Sequence, residues 1–361
     1  MSDIRSWIGL SMVQDIGPVT SRKLLAAFGS PEDIFKADTE ALLSMNGISR
    51  ERAGNIKTFN RWDEVEKYAG VVEKKGISVV HFQDDRYPAV LKEIESAPIV
   101  LYMKGGYHQD DRFGIAVVGS RKHTPYGESV TQRIAAELSA SGFTVISGLA
   151  RGIDTLSHKS ALAAGGRTIA VLGSGPDVCY PPENRGLTER IAASGCVISE
   201  FLPGTVPDRE NFPRRNRLIS GLSLGILVVE ATDNSGSLIT AGYALEQNKE
   251  VFAVPGNITS RNSEGTNKLI KQGAKVVLKT EDIIEELAPV LKGYIRTQQK
   301  ENIALGEEEN RVCMMLSREP KHVDLISRES GLSINQLLNL LLSLELKGVV
   351  KQASGKRFYI A

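Results

Sequence analysis

Pro207-Asp-Arg-Glu-Asn-Phe-Pro-Arg-Arg-Asn-Arg-Leu-Ile-Ser-Gly-Leu-Ser-Leu-Gly-Ile-Leu-Val-Val-Glu230 sets a cationic segment beside an apolar one. Four of the nine residues from Arg209 to Arg217 are arginine, and Phe212 sits among them. The run Ile226-Leu-Val-Val229 is continuously apolar, as in strands buried on both faces of a parallel sheet. The stretch therefore predicts an α/β domain with an arginine-and-aromatic cluster held against its core. A guanidinium fork binds phosphate, and an aromatic face stacks on a base. A solvated helix start with one core phenylalanine has the same composition, and charge density alone does not separate the two.

Outward from this stretch, apolar runs alternate with helical patterns from residue 113 to 290, the mark of a parallel sheet. Strands are predicted at 115–118, 144–146, 168–172, 197–199, 226–229, 251–254 and 275–278. Helices fit at 128–141, 155–164, 238–247 and 282–291. Ligands of such sheets bind at the carboxyl ends of the strands. Those ends read Gly119-Ser120-Arg121, Ser147-Gly148-Leu-Ala-Arg151-Gly-Ile-Asp154, Gly173-Ser-Gly175, Glu200, Glu230 and Pro255-Gly-Asn257. Small residues and arginines along one rim describe a phosphate-binding edge. Neither Gly-x-Gly-x-x-Gly after the first strand nor a Walker sequence is present, which disfavours a dinucleotide enzyme or an ATPase.

The flanks read as separate modules. Residues 1–70 are helical and carry an internal echo, Val13-Gln-Asp-Ile-Gly-Pro-Val-Thr-Ser21 against Met45-Asn-Gly-Ile-Ser-Arg-Glu-Arg-Ala53. Both copies look like the turn of a helix-hairpin-helix, each with one glycine where the usual pattern has two. Asp15 in the first turn would repel a phosphate. Ser30-Pro-Glu-Asp33 reads as a helix start. Runs at 77–82 and 98–103 suggest strands extending one edge of the sheet, so the second domain spans 71–290. Residues 291–308 are polar and mixed in charge, a linker. The end, 309–361, follows the winged-helix order of three helices and a hairpin. Its third helix, 334–346, holds no Arg or Lys, while Lys347, Lys351, Lys356 and Arg357 lie near the wing. That favours protein contact over duplex reading.

With 361 residues, 41% hydrophobic and 24% charged, the chain is an ordinary globular protein. Its net charge of +1 provides no global attraction to nucleic acid, so any such affinity must be local. Cys179, Cys196 and Cys313 are scattered, as reduced thiols are, and form neither a zinc pattern nor a disulfide frame. No signal peptide or membrane span is evident, and a cytoplasmic protein without metal or cofactor is expected.

Six motifs then stand in order: Val118-Gly-Ser-Arg121, Ser147-Gly-Leu-Ala-Arg-Gly-Ile-Asp-Thr-Leu-Ser-His158, Tyr180-Pro-Pro-Glu-Asn184, Asn211-Phe-Pro-Arg-Arg-Asn-Arg-Leu-Ile-Ser220, Ser235-Gly-Ser-Leu-Ile-Thr240 and Val254-Pro-Gly-Asn257. Together they closely resemble the DNA-processing protein A family (DprA, also called Smf). The resemblance implies a Rossmann-like core flanked by the two modules above. It implies a cytosolic protein that binds and protects single-stranded DNA and loads RecA onto it during natural transformation and recombination. A homodimer through the Rossmann-like domain is implied too, with single-strand-binding protein as a further partner and no reaction of its own.

Carried onto this sequence, the family's DNA groove falls on Arg121, Arg209, Phe212, Arg214, Arg215 and Arg217. Gly119, Ser120 and Asn257 belong to the same rim. Ser147 and Gly148 are expected as donors, Arg151 as a phosphate contact or a partner of Asp154, and Asn216 as a DNA contact or turn anchor. Ser235, Gly236 and Ser237 open a helix that would hold phosphate. Arg214 and Arg217, three apart, are expected to share a face. Two other readings remain at this point: a duplex-structure binder, and a nucleotide-processing enzyme of the phosphoribohydrolase kind. The enzyme reading is disfavoured because Thr240 stands where those enzymes carry a glutamate.

Overall fold

The computed structural model describes residues 4–301, 306–317, 319–346, 349–353 and 355–360. They form two compact units, Met1–Ile284 and Glu285–Ala361.

The first unit is built on a nine-stranded sheet: β1 (Ser78–His81), β2 (Val100–Gly105), β3 (Gly114–Val118), β4 (Thr144–Ser147), β5 (Thr168–Val171), β6 (Cys196–Ser199), β7 (Gly225–Val228), β8 (Glu250–Ala253) and β9 (Lys275–Val276). The order is β1-β2-β6-β5-β4-β3-β7-β8-β9. Pairing is parallel from β6 to β9. It is antiparallel for β1 with β2 and β2 with β6, so the runs at 77–82 and 98–103 do extend the edge. Helices on both faces explain the unbroken apolar runs: Ile115, Ala116, Val117, Val145 and Ile226 are fully buried. Each valine or isoleucine so buried stabilises the fold by about 1.5–3 kcal/mol.

The N-terminal echo is geometric as well as textual. The Ile16 N–H donates to the Val13 carbonyl and the Ile48 N–H to that of Met45. Between them Asp15 and Gly47 take φ of 60° and 93°, the left-handed region that Gly and short polar residues tolerate. Asn55 Nδ2 donates to the Gln14 carbonyl and the Asp15 carboxylate, so Asp15 is engaged within the module. Ser30 caps the helix Pro31–Lys36 through the Asp33 N–H, as its sequence predicts. Packing does not break at residue 70. Trp7, Leu10, Leu24, Ile34, Leu42 and Ile56 share one apolar core with Val79, Val100 and Tyr102 of β1 and β2.

The expected linker at 291–308 opens on a helix. The helix Thr280–Glu301 runs through its first part, and residues 302–305 lie outside the described residues. Glu, Gln, Lys and Arg are good helix formers, so a polar composition does not by itself break a helix. The second unit has the winged-helix order: helices Glu307–Met314, Val323–Ser330 and Ile334–Leu346, then the hairpin Val350–Ala353 and Arg357–Ile360. Arg357–Ile360 also pairs with Lys321–His322. Lys351, Lys356 and Arg357 are exposed on this hairpin, while Lys347 lies outside the described residues. Among the described residues no helix is long and apolar enough to cross a membrane.

Candidate nucleic-acid interface

From β6 the chain returns across the sheet to β7, which pairs with β3 on the side away from β4. At such a reversal of strand order the carboxyl ends open a crevice, the usual ligand position of a doubly wound sheet. Here the crevice is a cleft of about 870 Å³. The turn after β3 lines it with Gly119, Ser120, Arg121 and Lys122, and the turn after β7 with Thr232, Ser235, Gly236 and Ser237. The helix Asn211–Gly221 adds Phe212, Arg215 and Asn216, and the loop before it Arg209.

The turn after β3 is fixed through its backbone. Ser120 Oγ accepts from the Lys122 N–H at 3.1 Å and donates to the Lys122 carbonyl, which also accepts from Asn262 Nδ2 at 2.8 Å. The Arg121 and Lys122 side chains stay exposed. The Arg121 guanidinium lies 5.3 Å from the centre of the Phe212 ring, and Phe212 rests on Gly173. A Cβ at Gly173 would stand 2.8 Å from that ring, so only glycine seats it there. Arg209 is exposed; Arg214 is exposed too, above the Phe201 ring at 5.4 Å. Among the described residues no carboxylate is paired with Arg121, Lys122, Arg209 or Arg214. Ser235 caps the helix Gly236–Glu246, whose first turn borders the cleft.

The arginine cluster divides, and this corrects the expected face. Arg214 points outward, but Arg217 is 8% exposed and bound to Glu200 and the Ser96 carbonyl. Arg215 is 4% exposed. Its guanidinium donates to the carbonyls of Gly148 and Val171 and lies across Gly148 from the Asp154 carboxylate. Burial lowers the Arg215 pKa to about 10, against the opposing pull of Asp154. Burial likewise raises that of Asp154, while Arg215 and the amides of Ala150 and Gly148 draw it back. Three of the four arginines lie within four residues of one helix, and the sheet behind that helix claims two of them.

Other expected contacts are committed elsewhere. Ser147 Oγ donates to the Val117 carbonyl, and the Gly148 N–H donates to Asp154. Arg151 pairs with Glu183 at 2.5 Å, not with Asp154. Asn216 Nδ2 donates to the Gly236 carbonyl, though Asn216 still lines the cleft. Asn257 accepts from the Thr259 N–H and hydroxyl and is not among the cleft-lining residues. The glutamates at the strand ends do not line the cleft either. Glu230 accepts from the Thr124 N–H and hydroxyl, and Glu200 holds Arg217. Lys122 and Tyr180, which the sequence did not single out as contacts, do line it.

Near this floor lies His158, 0% exposed. The Thr168 hydroxyl donates to the Val145 carbonyl and therefore accepts from His158 Nδ1–H. Burial first, and the Arg215 charge second, hold the imidazole pKa down to about 3. An unfolded histidine titrates near 6.5 and takes up a proton that the folded one refuses. The stability this gives is complete above pH 6.5 and lost as pH falls toward 3. Between pH 7 and 4.5, urea unfolding of wild type should lose roughly 2–3 kcal/mol more than His158→Leu. Equal losses would remove His158 as the source.

A family model described as DNA recombination-mediator protein A matches residues 78–288. A DprA winged helix domain matches 297–356, and a SAM-like helix-hairpin-helix tandem matches 8–59. The chain is 34% identical to Protein Smf of Synechocystis sp. over 391 residues, 98% of this chain and 97% of that one. It resembles the crystal structure of DNA processing protein A from Streptococcus pneumoniae at TM-score 0.68 and 33% identity, covering 79% of this chain and 99% of that one. It also resembles DNA processing protein A of Helicobacter pylori, solved for its single-stranded DNA binding mode. There the TM-score is 0.53 and the identity 28%, over 59% of this chain and 96% of that one.

Proposed function

The chain belongs to the DNA recombination-mediator protein A family, the DprA/Smf group, and from that premise we propose that it carries a single DNA strand along the cleft between β3 and β7. The observation that bears the most weight is that three exposed cations without a carboxylate partner among the described residues, Arg121, Lys122 and Arg209, line the cleft with the half-buried Phe212, and a fourth, Arg214, is exposed over Phe201 on the same helix. The cations take phosphates. The ring takes the face of a base, which a duplex keeps stacked inside and a single strand offers. Ser235, Gly236 and Ser237 add hydroxyl and amide donors for a further phosphate.

The reading requires no bond to be made or broken. A strand held by its backbone and one or two bases is shielded and ready for transfer. On the family premise, the receiver is RecA, the setting is recombination of incoming DNA in the cytosol, the displaced partner is single-strand-binding protein, and the protein works as a homodimer. A relative from Helicobacter pylori studied for single-strand binding supports the first step.

Salt dependence tests it. Four phosphate contacts give a slope of about −3 for log affinity against log salt on a single strand. Oligo-dT affinity should therefore fall roughly fifty-fold between 50 and 200 mM salt. A flat salt response, or duplex of equal length competing as well as oligo-dT, would refute the reading.

A further inference from the structure

The segment Tyr180-Pro-Pro-Glu-Asn184 is fastened on both sides of Tyr180. Asn184 is 4% exposed, its Nδ2 donating to the Leu149 carbonyl at 3.0 Å and to Thr155 Oγ1 at 2.8 Å. Glu183 is held by Arg151. On the other side Ser174 Oγ donates to the Val178 carbonyl at 2.7 Å, and the Ser174 carbonyl accepts from Ser199 Oγ at 2.6 Å. Between these anchors Tyr180 stays 37% exposed. Its ring centre lies 5.9 Å from that of Phe212, with the planes inclined by 41°.

A lone exposed ring calls for no explanation. Tyr180 is not alone. It stands where the main cleft meets a narrow slot floored by Gly148, Gly173 and Ser174, and both spaces also share Arg121 and Phe212. At both glycines the place of a Cβ is already taken, by Phe212 at Gly173 and by Arg215 and Asp154 at Gly148. Arg151 also lines the slot, its guanidinium paired with Glu183. Bases in a helical stack are ~3.4 Å apart. Rings 5.9 Å apart and inclined can each serve a neighbouring base only if the strand is unstacked there.

We infer that Tyr180 is a second base-stacking residue, taking the base next to the one on Phe212, so that the strand leaves the main cleft across Tyr180. This rests on the single-strand reading of the cleft. Because stacking is blind to base identity, the pair of rings adds affinity without sequence preference.

The test uses the full chain with two probes in fluorescence anisotropy: oligo-dT, and an oligomer of equal length that is abasic throughout. Tyr180→Leu should bind oligo-dT roughly tenfold more weakly and the abasic oligomer as wild type does. Tyr180→Phe should bind both as wild type does. Equal weakening on both probes would make Tyr180 a support of the fold or of the backbone contacts and overturn the inference. So would a phenylalanine variant as weak as the leucine one, or no change on oligo-dT. Photocrosslinking of the wild-type chain to an iodouracil oligomer needs no variant. An adduct on Tyr180 supports the inference, and adducts on Phe212 without any on Tyr180 overturn it. If oligo-dT binding responds to Phe212→Leu but not to Tyr180→Leu, this inference alone falls. If wild type binds neither probe, the single-strand reading falls and takes it along.

Discussion

Arg215→Ala should lower the unfolding free energy of the protein by about 3–5 kcal/mol, read as a shift of the urea midpoint. The guanidinium is buried beneath the cleft and satisfies the carbonyls of Gly148 and Val171. It is also the positive charge facing the buried Asp154 across Gly148. Truncation leaves both carbonyls unpaired, a carboxylate without its counter-charge, and a void. Lysine carries the charge but lacks the planar fork that reaches two carbonyls at once, so Arg215→Lys should recover only part of the loss. Oligonucleotide binding should fail in step with folding. A variant that keeps the wild-type midpoint and still fails to bind would show Arg215 to be a ligand contact instead.

The double variant Arg121→Ala, Phe212→Leu should behave in the opposite way. Arg121 is exposed and Phe212 half-buried, and among the described residues Arg121 has no carboxylate partner, so the fold should hold. Stacking of one base is worth about 1–3 kcal/mol. With one phosphate contact added, oligo-dT affinity should drop about 100-fold or more. The salt slope should flatten by about 0.7, the share of one cation. Each group touches the other across 5.3 Å, so the two single losses should not simply add. A double variant that binds within a few-fold of wild type would move the strand to another surface.

These two outcomes separate groups that the sequence presents as one cluster. The strands were legible because parallel strands buried on both faces read as plain apolar runs, and 115–118 became Gly114–Val118 with one residue added. The rim was legible because glycine and small residues after strands have few alternatives. The direction of each arginine was not. Arg215 and Arg217 look as solvated as Arg214 until the folded chain brings up Gly148, Val171, Asp154 and Glu200, all of them distant in sequence. A helix starting with Asn211 turns adjacent residues to different faces, so its arginines had to part. Which one stayed outside depended on the sheet behind the helix. Tyr180 escaped notice for a related reason: its neighbour Phe212 is 32 positions away, and only the returning chain places the rings side by side.

The family model begins at residue 78, one position after Ile77, yet no mechanical joint lies there. Trp7, Leu24 and Ile34 are sealed against Val79, Val100 and Tyr102, and Arg22 grips the carbonyls of Lys92, Ile94 and Glu95 from the same side. A gene fusion that opened the reading frame at β1 would leave a wet, sticky flank in place of that seal. Its product would need a substitute cover or would clump. Segments that look interchangeable on paper are welded in this molecule, and the helical head and the sheet must be swapped as a pair or left alone.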